Sequence, residues 1–300
     1  MLDVRRLRLL RELSLRGTIS AVAEALAFTP SAVSQQLSVL EREAGIVLLE
    51  RTGRGVTLTP AAHNLVRHAE VVLERLERAA AELVDARQGL AGDLRVGTFP
   101  TAARAIVPSA LSTLAGQHPG LVPRVSEIDP AAVAHALRAG ELDVALIHDY
   151  DFVSALAEPG LTTEMLCSES MYLASTLPGE ELDGSTLGQY KDEPWITAIP
   201  GTLCHSMTIR ACQAAGFTPR VRHHIDEFAT VLAFVAAGQG VALVPQLGAI
   251  DPPREIALTQ LPIHRRTMIA FRTGAGGHPA IASFAAALHT SVPKGLRLHS

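Results

Sequence analysis

Residues 18–60 read TISAVAEALAFTPSAVSQQLSVLEREAGIVLLERTGRGVTLTP. Thr18 or Ser20 can cap a short helix over Ala21 to Leu26, whose alanines let another helix cross closely. Thr29 caps a further helix with Pro30 in its first turn, where the missing N–H costs nothing. Along it Ala32, Val33, Leu37, Leu40 and Ala44 repeat at helical spacing and point inward, which leaves Ser31, Ser34, Gln35 and Ser38 on the outer side. Gly45 stops the helix. The stretch VLLERTGRGVTLTP predicts strand, turn and strand, with Arg51 and Arg54 at the tip. Short hydroxyl and amide side chains on one helix face can reach base edges or phosphates. Paired arginines on a hairpin suit phosphate or minor-groove contact. A helix pair is by itself a common packing unit; the Ser/Gln face and the wing arginines turn the pattern towards DNA.

Upstream, residues 4 to 15 (VRRLRLLRELSL) place Val4, Leu7, Leu10, Leu13 and Leu15 near one face, with Arg5, Arg6, Arg8 and Glu12 mostly opposite. Gly17 ends that helix. Downstream, Thr59-Pro60 starts a long helix from about Ala61 to Gln88. Leu65, Ala69, Val72, Leu76, Ala79 or Ala80, and Leu83 recur at spacings of four and three, the seam of a coiled coil. Dimerisation through it would set two recognition helices on a dyad-symmetric site. Gly89 and Gly92 read as a hinge.

From Asp93 the pattern becomes alternating strands and helices, an α/β unit: strand Leu94 to Phe99, helix Thr101 to Ala115 bent at Pro108, strand Val122 to Ile128, helix Ala131 to Ala139, strand Val144 to Ile147. A second unit follows from Met171 to Val244, and Arg266 to Phe271 with Ala280 to Leu288 return to the first. Two lobes joined by two crossovers make a cleft. Ligands bind α/β sheets beyond the carboxyl ends of the strands. There Thr98, Pro100 and Thr101 open a helix whose free N–H groups and Thr101 hydroxyl can hold a carboxylate. Pro200-Gly201-Thr202 makes a second cradle, and Asp129, Pro130, His148 and Phe228 follow other strands and can complete the pocket.

The chain resembles the LysR-type transcriptional regulators. The residues that carry this are SAVSQQLSVLEREAG (31–45), LLERTGRGVTLTP (48–60) and the long helix after them; GTFPTAARAIVP (97–108), ELDVALIH (141–148) and FVAAGQGVALVP (234–245) match more weakly. The resemblance implies a winged helix-turn-helix domain (1–60), a linker and dimerisation helix (61–90), and a two-lobed α/β effector domain (91–300) that looks like a periplasmic binding protein. Its lobes would run over about 91–163 with 266–300, and about 164–265. It implies double-stranded DNA, a small-molecule effector and a homodimer or dimer of dimers, with RNA polymerase a further partner open to such a regulator. No cofactor and no enzymatic activity are expected. Thr29-Pro30 stand where the family often has a Ser-Gln pair, at a position that often touches bases, so the target sequence does not carry over.

Composition sets bounds on this. Net charge is −4 over 300 residues, but +2 over residues 1–66 and −5 over 91–300. Affinity for DNA must then come from dimerisation and local placement of arginines. No apolar run approaches a membrane span and the N-terminus lacks an apolar signal core, so the cytoplasm is expected. Three cysteines without a CxxC argue against a disulfide scaffold or zinc site.

Cys204 and Cys212 lie eight residues apart within one helix, about 12 Å of rise, too far for a disulfide unless the helix unwinds. A cysteine-based redox sensor of the same fold is the alternative function. His223 and His224 are adjacent on a strand, face opposite sides and cannot jointly hold a metal. A solute-binding protein is allowed by the second half alone and disfavoured by the DNA-binding end. No G-x-S-x-G, P-loop or paired acid/base constellation supports an enzyme.

Overall fold

A computed structural model describes residues 2–52, 55–85, 90–153, 158–176 and 186–296. The N-terminal unit is three helices and a hairpin: α1 (Val4–Arg16), α2 (Ile19–Ala25), α3 (Pro30–Ala44), β1 (Leu49–Thr52) and β2 (Gly55–Leu58). Each helix starts on a capping side chain that satisfies otherwise orphaned N–H groups. Asp3 accepts from Arg5 and Arg6, Thr18 from Ala21, and Thr29 from Ala32, with Pro30 in the first turn. Gly17 and Gly45 end α1 and α3 in the left-handed conformation. Leu7, Leu10, Leu13, Val22, Val33, Leu37 and Leu40 form the core. Glu41 reaches out of α3 to accept from Leu48 N at 2.9 Å and Leu49 N at 3.0 Å, tying the hairpin to the helix.

Three expectations change here. Glu12 is fully buried, and is bonded to Arg11 at 2.6 Å and Arg16 at 3.0 Å rather than facing solvent. Burial pushes its carboxyl up, but the two guanidiniums outweigh that and hold it below the ordinary value. The long helix α4 (Pro60–Asp85) also divides its apolar residues between two faces. Ala62, Val66 and Ala69 pack into the N-terminal core, so Ala69 belongs to an intramolecular contact. Val72, Leu76 and Leu83 stay exposed, at 40%, 48% and 72%. Gly89 lies outside the described residues, and Gly92 sits within a strand instead of a hinge.

The second half has β3 (Ala91–Thr98), α5 (Pro100–Ala105), α6 (Val107–Gln117), β4 (Gly120–Glu127), α7 (Pro130–Ala139), β5 (Val144–Tyr150), β6 (Leu161–Ser175), β7 (Pro194–Thr197), α8 (Leu203–Ala214), β8 (Arg220–His224), α9 (Phe228–Ala236), β9 (Ala242–Pro245), β10 (Ala257–Arg272) and α10 (Pro279–Ser291). One six-stranded sheet runs β4-β3-β5-β10-β6-β9, and β7-β8 form a parallel pair. β3 is parallel to β4 and β5, whereas β10 is antiparallel to β5 and β6, and β9 to β6. The second lobe is thus mixed rather than parallel.

β6 and β10 are the crossovers. They pair along most of their length, with register shifts between Gln260 and His264 and between Thr267 and Met268 that curl the sheet. One core gathers around Leu94, Val96, Leu114 and Phe284, and another around Trp195, Met207 and Leu243. The lobes therefore share two continuous strands. At the β7–β9 junction Gly240 has φ +146, and a Cβ there would stand 2.4 Å from the Pro194 carbonyl oxygen. Only glycine allows the approach that lets Val241 N donate to that oxygen at 2.9 Å.

The two halves touch. Arg272 on β10 pairs with Glu77 of α4 at 3.0 Å, and Arg16 Nη2 lies 2.8 Å from His135 Nδ1 on α7.

Candidate functional site

Two surfaces gather the residues singled out above. The first is the outer face of α3. Thr29, Pro30, Ser31, Gln35 and Ser38 are exposed and Ser34 is partly so. The Thr29 hydroxyl caps the helix and lies 3.0 Å from Ser31 Oγ. Arg6 of α1 donates to Gln36 Oε1 at 2.9 Å and pairs with Glu43, which takes it out of the set available to phosphates. Arg5 and Arg8 remain exposed. The Arg51 side chain and Arg54 lie outside the described residues; the Arg51 backbone pairs with Val56 in the hairpin.

The second is a cavity of about 1200 Å³ between the lobes. Pro100 and Thr101 from α5, Asp129 and Pro130 at the start of α7, His148 on β5, Thr202 before α8 and Phe228 opening α9 all line it. Thr98 does not. It ends β3 fully buried, its hydroxyl donating to the Phe99 carbonyl at 3.3 Å. Its side chain falls on the core phase of a strand, and strand alternation decides that. His148 is inside β5 rather than after it.

The floor is built on Arg265, which the motif search passed over. Arg265 stands opposite Tyr150 on β5 and Glu169 on β6 in the ladder. It is 1% exposed, pairs with Glu169 at 2.7 Å, donates to Thr101 Oγ1 at 2.8 Å, and lies 5.1 Å from the Phe99 ring centroid. Glu169 also accepts from Leu247 N at 2.7 Å. The Thr101 hydroxyl expected to hold an anion accepts from Arg265 and keeps its own O–H to donate. A signal was present in the sequence: along β10 Leu261, Ile263, Arg265, Thr267 and Ile269 share the buried phase, and along β6 so do Cys167, Glu169, Met171 and Leu173. One charge of each sign inside an apolar phase predicts a buried pair.

His148 packs edge-on to Phe99 at 4.6 Å and Tyr150 at 5.3 Å. Burial and the nearby Arg265 hold its imidazole down at about 3. Cys204 lines the cavity on α8, and burial pushes its thiol up; Cys212, further along the same helix, is pushed up to about 12 by the same cause. His223 packs on Phe234 while His224 turns to Thr197, so the two histidines diverge as the strand requires. Among the described residues no group of three or more His, Cys, Asp or Glu is placed to hold a metal, and no helix is long and apolar enough to cross a membrane.

A winged helix-turn-helix followed by a two-lobed α/β domain defines a bacterial transcriptional regulator, and family comparison agrees. The model "Bacterial regulatory helix-turn-helix protein, lysR family" matches residues 4–63, and "LysR substrate binding domain" matches residues 87–293. The chain belongs to the LysR family of transcriptional regulators. It is 30% identical to the nitrogen assimilation regulatory protein nac of Escherichia coli, over 83% of this chain and 80% of that protein. It is 29% identical to a probable hydrogen peroxide-inducible genes activator of Mycobacterium avium, over 86% and 84%. Among solved structures, a full-length cysteine variant of OxyR from Pseudomonas aeruginosa has the same fold, with TM-score 0.60 and 24% identity over 97% of this chain and 99% of that one.

Proposed function

We propose that the chain is an effector-responsive, sequence-specific DNA-binding regulator divided as 1–60, 61–90 and 91–300. Ser31, Ser34, Gln35 and Ser38 read base edges, with Thr29-Pro30 beside them, and Arg51 and Arg54 hold the flanking phosphates. The observation that carries this is the free outer face of α3, set on its own core and capped at both ends. The exposed Val72, Leu76 and Leu83 of α4 pair two copies in a dimer or dimer of dimers, which bury that stripe and double the phosphate contacts of a weakly basic domain. A small molecule in the interlobe cavity shifts the lobes, and α7, which touches α1, and β10, which touches the linker helix α4, transmit the shift. The protein works in the cytoplasm, with the chromosome, and RNA polymerase is the partner an activating form would add.

Peroxide sensing through Cys204 and Cys212 is the weaker reading. Both thiols are pushed towards the protonated form, and eight residues of intact α8 separate them. Footprinting of the purified protein on DNA around its own gene, with and without a metabolite panel, tests the proposal. A dyad-symmetric footprint altered by one metabolite is the expected result; no protection on any promoter DNA would sink it.

A further inference from the structure

The chain has eight Phe, three Tyr and one Trp. Eleven of these twelve aromatic residues are buried or half-buried, and Phe28 alone is exposed, at 56%. An exposed ring leaves apolar surface in water, so its place in the fold decides what it is for. Phe28 lies in the turn between α2 and α3. Leu26, before it, packs against the N-terminal core. Ala27 then takes the left-handed conformation with φ +53, which an L side chain rarely adopts. Phe28 N closes the turn by donating to the Ala23 carbonyl at 2.8 Å. Thr29 follows as the cap of α3.

A hydrophobic residue just before a helix cap often packs on the fourth residue of the helix. That residue is Val33, which is 1% exposed within the core, whereas Phe28 keeps more than half of its surface in solvent. Packing of that kind therefore accounts for only part of the ring. A recognition helix contacts base edges with its N-terminal residues, which brings the residue before the cap to the DNA. On the outer face Ser31, Ser34, Gln35 and Ser38 offer hydroxyls and an amide, suited to the donors and acceptors of the major groove. The apolar feature of that groove is the C5-methyl of thymine, which an apolar side chain reads. Among the exposed side chains at this end of α3, the Phe28 ring has the longest apolar reach.

We propose that Phe28 is a specificity residue: its ring packs against a thymine methyl at one position in each half-site, beside the bases read from the outer face. This rests on the outer face of α3 being the base-reading surface.

The test uses the full-length protein, which first selects duplexes from a random pool. Each thymine of the selected sequence is then replaced singly by deoxyuridine, which removes the methyl and keeps the pairing. Affinity is read by fluorescence anisotropy. The parent is expected to lose about four-fold at one position in each half-site, the worth of one buried methyl. Phe28→Ala is expected to lose about as much on the unmodified duplex and to bind the two forms at that position equally. Phe28→Leu keeps an apolar group, is expected to retain part of the difference, and serves where Phe28→Ala does not fold. A parent indifferent to every methyl overturns the proposal. So does a methyl preference that Phe28→Ala or Phe28→Leu keeps in full, which would assign it to another side chain. A protein that selects no sequence overturns the base-reading surface itself, whereas one that selects a sequence and fails the methyl test loses only the role of Phe28.

Discussion

Glu169→Gln is the substitution that most directly probes how the cavity floor is held. Arg265 and Glu169 are opposite each other on β10 and β6, 1% and 2% exposed, with the guanidinium 2.7 Å from the carboxylate. The amide keeps the shape but sets an NH2 against either Arg265 or Leu247 N, both of them donors, and leaves the guanidinium uncompensated. Breaking a buried pair from one side costs about 3–5 kcal/mol. Replacing both residues with apolar ones, Glu169→Leu with Arg265→Met, removes the desolvation cost of both ions. That double variant is expected to recover all but about 1–3 kcal/mol, the remainder reflecting the lost partner of Leu247 N. The assay is urea denaturation followed by fluorescence of Trp195, the single tryptophan of the chain, fully buried in the second lobe. A double-mutant cycle over the parent, Glu169→Leu, Arg265→Met and the double variant gives the coupling, expected at about 2 kcal/mol or more. Glu169→Gln within about 1 kcal/mol of the parent, or losses that simply add, would refute a buried ionic floor.

Further expectations concern each part of the molecule. Gln35→Ala should cost about 1–3 kcal/mol and relax base preference at one position per half-site, read by gel shift on operator variants; a uniform loss across sequences would place Gln35 on the phosphates. Leu76→Glu should yield monomers in sedimentation and lose most operator affinity, and a dimer that persists would move the seam elsewhere. Thr101→Ala removes one of the acceptors of Arg265 and should abolish the effector response with operator binding intact; loss of both would mark it as structural. His148 is neutral in the fold down to about pH 3 but titrates near 6.5 when unfolded. The unfolded chain thus binds the extra proton between those values, and stability falls as pH drops through that window by about 1.4 kcal/mol per unit. His148→Asn should flatten that acid slope in urea midpoints taken at pH 7 and 5, and an unchanged slope would remove His148 as its source.

The parts of the fold that local chemistry controls were legible in the chain. Thr29-Pro30 and Gly45 bound α3, Gly17 ends α1, and Pro108 marks the break between α5 and α6, because caps and breakers act over a few residues. Helical periodicity found the inward residues of α3 but misjudged Glu12: a charged side chain goes inside when Arg11 and Arg16 are there to meet it. The same limit applies to α4, where one set of apolar residues serves an intramolecular core and another an exposed stripe, and spacing cannot separate the two.

By itself the sequence determined that there is a helix-turn-helix with a hairpin, a long amphipathic helix and an α/β half with loops at the strand ends. Each of these follows from propensity, period and capping within one segment. The tertiary structure alone decided what the cavity is made of. Glu169 and Arg265 are 96 residues apart and meet only because two long antiparallel strands align in one register. Arg265 donates to the Thr101 hydroxyl, the alternation of β3 turns Thr98 into the core, and acidic caps occupy the starts of α7 and α9. Register and burial are properties of the packed whole, and they set which of the eligible groups remain for a ligand.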